Sequence, residues 1–349
     1  MQTSFNELCS LIEKDKAVFK IVTKTKNEIF FIEKWIIHHL NILQDTKLII
    51  FDNMSDDDYV KSIYEKYKNN MILVEFDGYM DHLHMAKWSM QIYKALSDSS
   101  EFFTIIDSDE YLYLWDGHKI VKDSSIIQFL EENDDCNFFA PLWIENISDN
   151  EKLFSFNPLN LSSFHFGKPI INTKIVPMFE SAFKKIGVAA LHHVRQLPIS
   201  TYGKTKTKFV ILHLKNLNKY QRIKSNMQKL VALDVIKHDN DFSALLKIDL
   251  ETINASGSRS ARIVNINRYV RETRNLVEKI LHTDEQSGNL PRSNTIELDE
   301  DGALKFAPES SEDDFKKLMD SDYFDLINFD PGKTDINRYT TIQSLDYFL

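Results

Sequence analysis

Four short apolar runs in the first third of the chain constrain its fold most: AVFKIVT from Ala17, KLIIF at Lys47 to Phe51, MILVEF at Met71 to Phe76 and EFFTII at Glu101 to Ile106. Runs of this length, rich in β-branched and aromatic residues, suit strands covered on both faces. Between the first two lies Asn27 to Leu43, where Ile32, Trp35, Ile36, Leu40 and Leu43 recur at helical spacing. Ser55 can cap a second helix, running to about Asn69, whose first turn carries Asp56 to Asp58 where the macrodipole favours carboxylates. Asp81 to Leu96 reads as a third helix. The alternation predicts an α/β fold: a Rossmann-like, mostly parallel sheet flanked by helices, with ligands in the crevice outside the carboxyl ends of the strands.

Beyond Asp116 the pattern loosens. Ser124 to Glu132 reads as a helix, NFFAPLW (Asn137 to Trp143) as one strand, and 154–194 as irregular chain with short strands. Helices are expected over Leu217 to His238 and Ile263 to His282. From Thr283 onward Ser, Asp, Glu and Pro dominate, as in PESSEDD (Pro308 to Asp314), which reads as a linker and an appended segment. The expected organisation is a catalytic domain over 1–240, with a nucleotide half at about 17–116 and an acceptor half at about 117–240, and a helical, acidic C-terminal extension over 241–349.

A formal charge of -10 opposes a broad nucleic-acid footprint and directs attention to small ligands. Cys9 and Cys136 are too few for a disulfide framework and offer no zinc-ligand spacing. No stretch approaches the roughly 18 apolar residues of a membrane span, and the N-terminus has no basic region followed by an apolar run. A cytoplasmic protein is expected, compatible with peripheral association at the inner face of a membrane. Oligomeric state is left open.

The stretch FFTIIDSDEYLYLW places Asp107 and Asp109 directly after the fourth strand. If the chain stays extended, their spacing of two points both to one side. Two such carboxylates can hold a divalent ion, which as a Lewis acid neutralises a diphosphate leaving group. With nine glycines and neither GxxxxGK[ST] nor GxGxxG, a backbone phosphate cradle is poorly supported, which favours a metal and disfavours phosphotransferases. Asp52 also follows an apolar strand, where a carboxylate can accept a hydrogen bond from a base or ribose. Trp143 could give a sugar ring an apolar platform.

The segment from Thr23 to Asp58 resembles the N-terminal pattern of GT-A-fold glycosyltransferases of the family 2-like group related to family 92. Lys26, Asn27 and Glu28 match its opening. Trp35, His38, His39 and Leu40 are similar to its first helix, Asp52 to Asp58 to its Tyr-Asp-Asn-x-Ser-x-Asp segment, and IIDSDEYL to its Phe-x-Asp-x-Asp-Glu-Phe-Leu motif. The family's glycines after the first helix and after Ser-x-Asp are missing here, with Leu43, Gln44 and Asp57 in those places.

The resemblance implies a metal-dependent transfer of a sugar, from a UDP-linked or other nucleotide sugar, to a glycan or glycolipid hydroxyl with inversion. It implies that Thr25, Asn27, Glu28 and Asp52 contact the donor, and that Lys168 and Lys174, in GKPIINTK, meet its phosphates. Asp107 and Asp109 would hold Mn²⁺ or Mg²⁺ with a histidine, His213 in FVILH, or in its place His192 or His193. Inversion calls for a carboxylate base, Glu145 or Glu180. His38 and His39, inside the first helix, read as structural. The competing expectation is a nucleotide- or carbohydrate-binding module of the same fold that performs no turnover.

Overall fold

The computed structural model describes residues 5–42, 45–77, 86–147, 149–156, 165–178, 194, 197, 203–255, 261–282, 295–307 and 312–321. They divide into two compact units, one of Met1–Lys215 with Arg292–Pro331, the other built on Asn216–Pro291.

In the first unit, helix α1 (Phe5–Lys14) precedes β1 (Ala17–Thr25), α2 (Ile32–Leu40), β2 (Thr46–Asp52), α3 (Asp58–Tyr67), β3 (Met71–Glu75), α4 (Ala86–Ser97) and β4 (Ser100–Ile105). The four strands pair in parallel in the order β3-β2-β1-β4. All four expected strands are present. Phe19, Ile21, Leu48 and Ile50 are buried in one core with Trp35 and Ile36 of α2 and Ile63 of α3. Helix α2 starts five residues later than its apolar spacing suggested. Asn27 takes a left-handed conformation (φ 51°), and the Glu28 carboxylate accepts from the backbone N–H groups of Phe30 and Phe31, at 3.0 and 3.3 Å. Those contacts make a turn ahead of the helix.

After β4 the chain leaves this sheet for a smaller one: β5 (Glu110–Trp115) and β6 (Ile120–Val121), followed by α5 (Ser125–Glu132). NFFAPLW does not form one strand. Pro141 has no N–H to donate, and the run splits into β7 (Phe138–Phe139) in the large sheet and β8 (Leu142–Glu145) in the small one. With β9 (Leu153–Ser155), β10 (Ile170–Asn172), β11 (Thr205–Lys206) and β12 (Phe209–His213), the large sheet becomes β11-β7-β10-β4-β1-β2-β3 and the small one β6-β5-β12-β8. β10 runs antiparallel to both its neighbours.

Two buried histidines join α2 to β5. His38 Nε2 donates to the Leu112 carbonyl at 2.8 Å, whereas His39 donates through Nδ1 to the Trp35 carbonyl at 2.8 Å and accepts the Leu112 N–H at Nε2, 3.3 Å. Since β6 reaches only Leu114 and Trp115, these rings satisfy the side of Leu112 that faces away from β12. Burial pulls both histidines down, His39 to about 3, so both are neutral. This is the structural role expected of them.

The acidic C-terminal segment is not an appendage. β13 (Thr295–Leu298) pairs with β9 and with β14 (Leu304–Phe306), and Phe315 of the last described helix (Glu312–Met319) packs on Trp115, Phe156 and Phe306 at 5.2, 5.4 and 5.3 Å. The second unit is helical, with Lys219–Ala232, Phe242–Lys247, Leu250–Ala255 and Ala261–His282 around Ile223, Met227, Leu230, Ile266 and Val270. The two compact units part at 215/216, where the expected catalytic domain ran to 240, and chain of the first unit resumes at 292. No described helix is long and apolar enough to cross a membrane.

Candidate functional site

The order β3-β2-β1-β4 puts a topological switch point between β1 and β4, where crossovers leave to opposite sides and a crevice opens. The Ile106 N–H still reaches the Val22 carbonyl at 2.9 Å, but beyond it β4 departs while β1 continues to Thr25. Asp107 stands at that departure.

The chain does not stay extended here. The Glu110 N–H donates to the Asp107 carbonyl at 3.0 Å, and the Glu110 carboxylate accepts the Asp107 N–H at 2.7 Å, closing a tight turn. The alternation that would align Asp107 with Asp109 is therefore lost, and the two carboxylates meet different partners. Asp107 Oδ2 lies 2.8 Å from Lys168 Nζ; Asp109 Oδ2 lies 3.5 Å from His213 Nε2.

Lys168 and Glu110 are the buried members, at 1% and 0% side-chain exposure, with Lys168 Nζ 3.3 Å from Glu110 Oε2. Burial pushes the Glu110 carboxyl up to about 7, against the pull of Lys168, and its Oε1 has no hydrogen-bond partner among the described residues. Burial lowers Lys168, but Asp107 and then Glu110 outweigh it and hold the ammonium above its ordinary value. The backbone of Lys168 is left-handed (φ 51°), unusual for a long side chain, and its carbonyl accepts the Thr104 hydroxyl at 3.2 Å.

His213 closes β12, paired across the small sheet with Glu110 on one side and Glu145 on the other, so the three side chains share a face. Its ring stacks on Trp143 at 5.0 Å and 12°. Burial lowers the imidazole, but Asp109 foremost, then Glu110 and Asp107, raise it above the usual histidine value. The Leu214 N–H donates to the Asp109 carbonyl at 2.8 Å and pins the acidic turn to β12. Glu145 accepts from Lys215 at 2.6 Å and is 43% exposed, within reach of a ligand.

Other nominated residues have different surroundings. Asp52 is buried and accepts from the Ser55 N–H at 2.7 Å, the Ser55 hydroxyl at 2.5 Å and the Tyr64 hydroxyl at 3.0 Å. Asn27 accepts from the N–H groups of Asp56 and Asp57 and donates to the Asp56 carboxylate at 2.7 Å. Asn27 thereby ties the turn before α2 to the loop after β2, while Glu28 accepts within its own turn and Asp52 accepts from the loop and helix that follow it. Thr25, also at that edge, is buried with its hydroxyl oxygen unpartnered among the described residues.

Lys168, expected on donor phosphate, is sequestered by carboxylates. Lys174 cannot join the site. β10 runs against β4, so Lys174 follows it to the amino edge of the sheet, where it pairs with Asp134 at 2.9 Å and the adjacent Thr173 hydroxyl donates to the Ser100 carbonyl. Glu180, His192 and His193 lie outside the described residues. Glu110 was missed; its signal is a charged residue opening the otherwise apolar strand EYLYLW.

As a metal site the cluster is unfinished. Asp109 and His213 converge, but Lys168 holds Asp107, and among the described residues no three His, Cys, Asp or Glu side chains are arranged to bind one ion.

No family model and no curated protein matches the chain. Among solved structures, it is similar to S. aureus TarS, at 13% identity and TM-score 0.37, over 82% of this chain and 59% of that one. It is similar also to TarS 1–349 in complex with UDP, at 14% identity and TM-score 0.34 over 84% and 99% of the two chains. The mannosyltransferase PcManGT from Pyrobaculum calidifontis, in complex with GDP-Man and Mn²⁺, aligns at 10% identity and TM-score 0.33 over 80% and 83%. Likenesses this distant carry no chemistry across.

Proposed function

We propose that the first unit is a glycosyltransferase that moves a sugar from a nucleotide sugar, UDP-linked, to a hydroxyl of a glycan or glycolipid. The observation that carries this reading is the meeting of Asp109, Glu110, His213 and Glu145 where β4 leaves the parallel sheet at its switch point. A doubly wound sheet binds nucleotides at such a place. Acidic side chains and an imidazole there suit group transfer better than hydride chemistry, for which no cofactor fingerprint exists.

In this reading the donor lies along the carboxyl edge, where the Thr25 hydroxyl, unpartnered among the described residues, is a polar group a ligand would satisfy. The bond from the anomeric carbon to the diphosphate breaks as the acceptor oxygen attacks from the opposite face, and the acceptor proton passes to Glu145. A single displacement of this kind inverts the anomeric centre. Trp143, stacked behind His213, steadies that ring and offers apolar surface beside it. A divalent cation, Mn²⁺ or Mg²⁺, would supply charge neutralisation of the leaving group. Asp109 and His213 are the side chains best set to meet it, and Asp107 would do so with its Oδ2 in competition with Lys168.

Calorimetric titration with UDP and GDP, with and without Mn²⁺, tests the reading. UDP binding that Mn²⁺ strengthens and Asp109→Ala abolishes is the expected result. A well-folded protein that binds neither nucleotide would refute the assignment.

A further inference from the structure

We propose that Lys168 is a built-in cation that competes with a divalent metal for Asp107, so the nucleotide-free site is kept poor in metal by its own ammonium group. The inference deepens the glycosyltransferase reading, since it concerns the same acidic turn, but its geometry stands without any nucleotide.

The ammonium is placed where a metal would have to be. Its Nζ lies 2.8 Å from Asp107 Oδ2 and 3.3 Å from Glu110 Oε2, bridging two carboxylates of one turn as a bound cation does. It is also fixed there. The side chain is 1% exposed, and the backbone is held in an unusual left-handed conformation beside Thr104 of β4.

A divalent ion approaching Asp107 would meet a positive charge already hydrogen-bonded to that carboxylate at Oδ2, and like charges so close repel. Asp109 and His213, 3.5 Å apart on the far side of the turn, are left as a two-donor foothold. Two donors hold a hard cation weakly unless further oxygens come from elsewhere, and a nucleoside diphosphate brings them. Metal and nucleotide would then bind together or poorly, with Lys168 setting the affinity of the first without the second.

Mn²⁺ binding to the full, nucleotide-free chain, followed by electron paramagnetic resonance of the free ion, measures this directly. Lys168→Met alone leaves the buried Glu110 charge unpaired and endangers folding, so the decisive variant is Lys168→Met with Glu110→Gln. This double change removes one charge of each sign and leaves an amide oxygen to accept the Asp107 N–H. It is expected to bind Mn²⁺ at least about tenfold more tightly than wild type, the scale on which groups around a metal's ligands tune affinity. Adding Asp107→Asn should erase the gain.

Unchanged or weaker Mn²⁺ binding by a double variant whose melting shows it folded would overturn the proposal, as would a gain that survives Asp107→Asn. Mn²⁺ is the only probe, so failure to bind nucleotide sinks the enzymatic reading and leaves this one standing, and the reverse also holds.

Discussion

Asp107 and Asp109 are separated by one serine, and the turn that carries them sends one carboxylate to Lys168 and the other to His213. Their presence after β4 was legible in the sequence; their divergence was not, because it depends on the Glu110 carboxylate capturing the Asp107 N–H from within the next strand. Asp109→Ala is expected to abolish sugar transfer with little change in melting temperature, as measured by product formation beside a thermal melt. Full activity in that variant would remove Asp109 from the site. Glu145→Gln should lower kcat by 10²-fold or more, on the order of a lost general base, and leave nucleotide affinity unchanged. Gly302 makes a prediction of another kind. It has a positive φ of 86°, and a Cβ there would collide with the Ile120 carbonyl oxygen, whose own N–H donates to the Gly302 carbonyl at 2.9 Å. Gly302→Ala should destabilise the first unit by about 1–3 kcal/mol in denaturant unfolding.

At the scale of elements, apolar runs with flanking turn residues were sufficient to find β1 to β4, since a strand buried on both faces is apolar over most of its length, the buried Lys20 of β1 notwithstanding. Short strands were harder. NFFAPLW looked continuous because proline's missing donor matters only once neighbours are known, and β13 and β14 hide in a segment whose average composition is polar. The link between α2 and β5 has a pH signature. His39 is held near 3 by burial, whereas an unfolded histidine titrates near 6.5. Below about pH 6.5 the unfolded chain therefore binds the extra proton, and stability falls as pH falls toward 3. Relative to His39→Gln, wild type should lose on the order of 3 kcal/mol between pH 7 and 4.5, so the stability gap between them narrows on acidification. A constant gap across that range in urea unfolding would show that His39 is not buried neutral. Phe315→Ala, which empties the space between Trp115, Phe156 and Phe306, should cost about 3–5 kcal/mol.

For the whole molecule, the helical unit is an insertion in sequence between β12 and β13 of the first unit. A chain cut at residue 240 would lack β13, β14 and the Phe315 helix, and is expected to melt well below the full protein or fail to fold. Replacing 216–291 by a flexible Gly/Ser linker should instead retain UDP binding, and loss of folding in that variant would show that the first unit depends on the insert. By itself the sequence determined the α/β class, the parallel half-sheet and the acidic turn at its edge, because burial on two faces and the strand-end position of carboxylates are local properties of a short stretch. Only the tertiary structure decided which charges meet. Lys168, His213 and Glu145 are 61, 104 and 36 residues from their partners Asp107, Asp109 and the Asp109 turn, and distances of that kind are set by how β10, β12 and β8 pair, a matter of sheet register that no window of sequence contains.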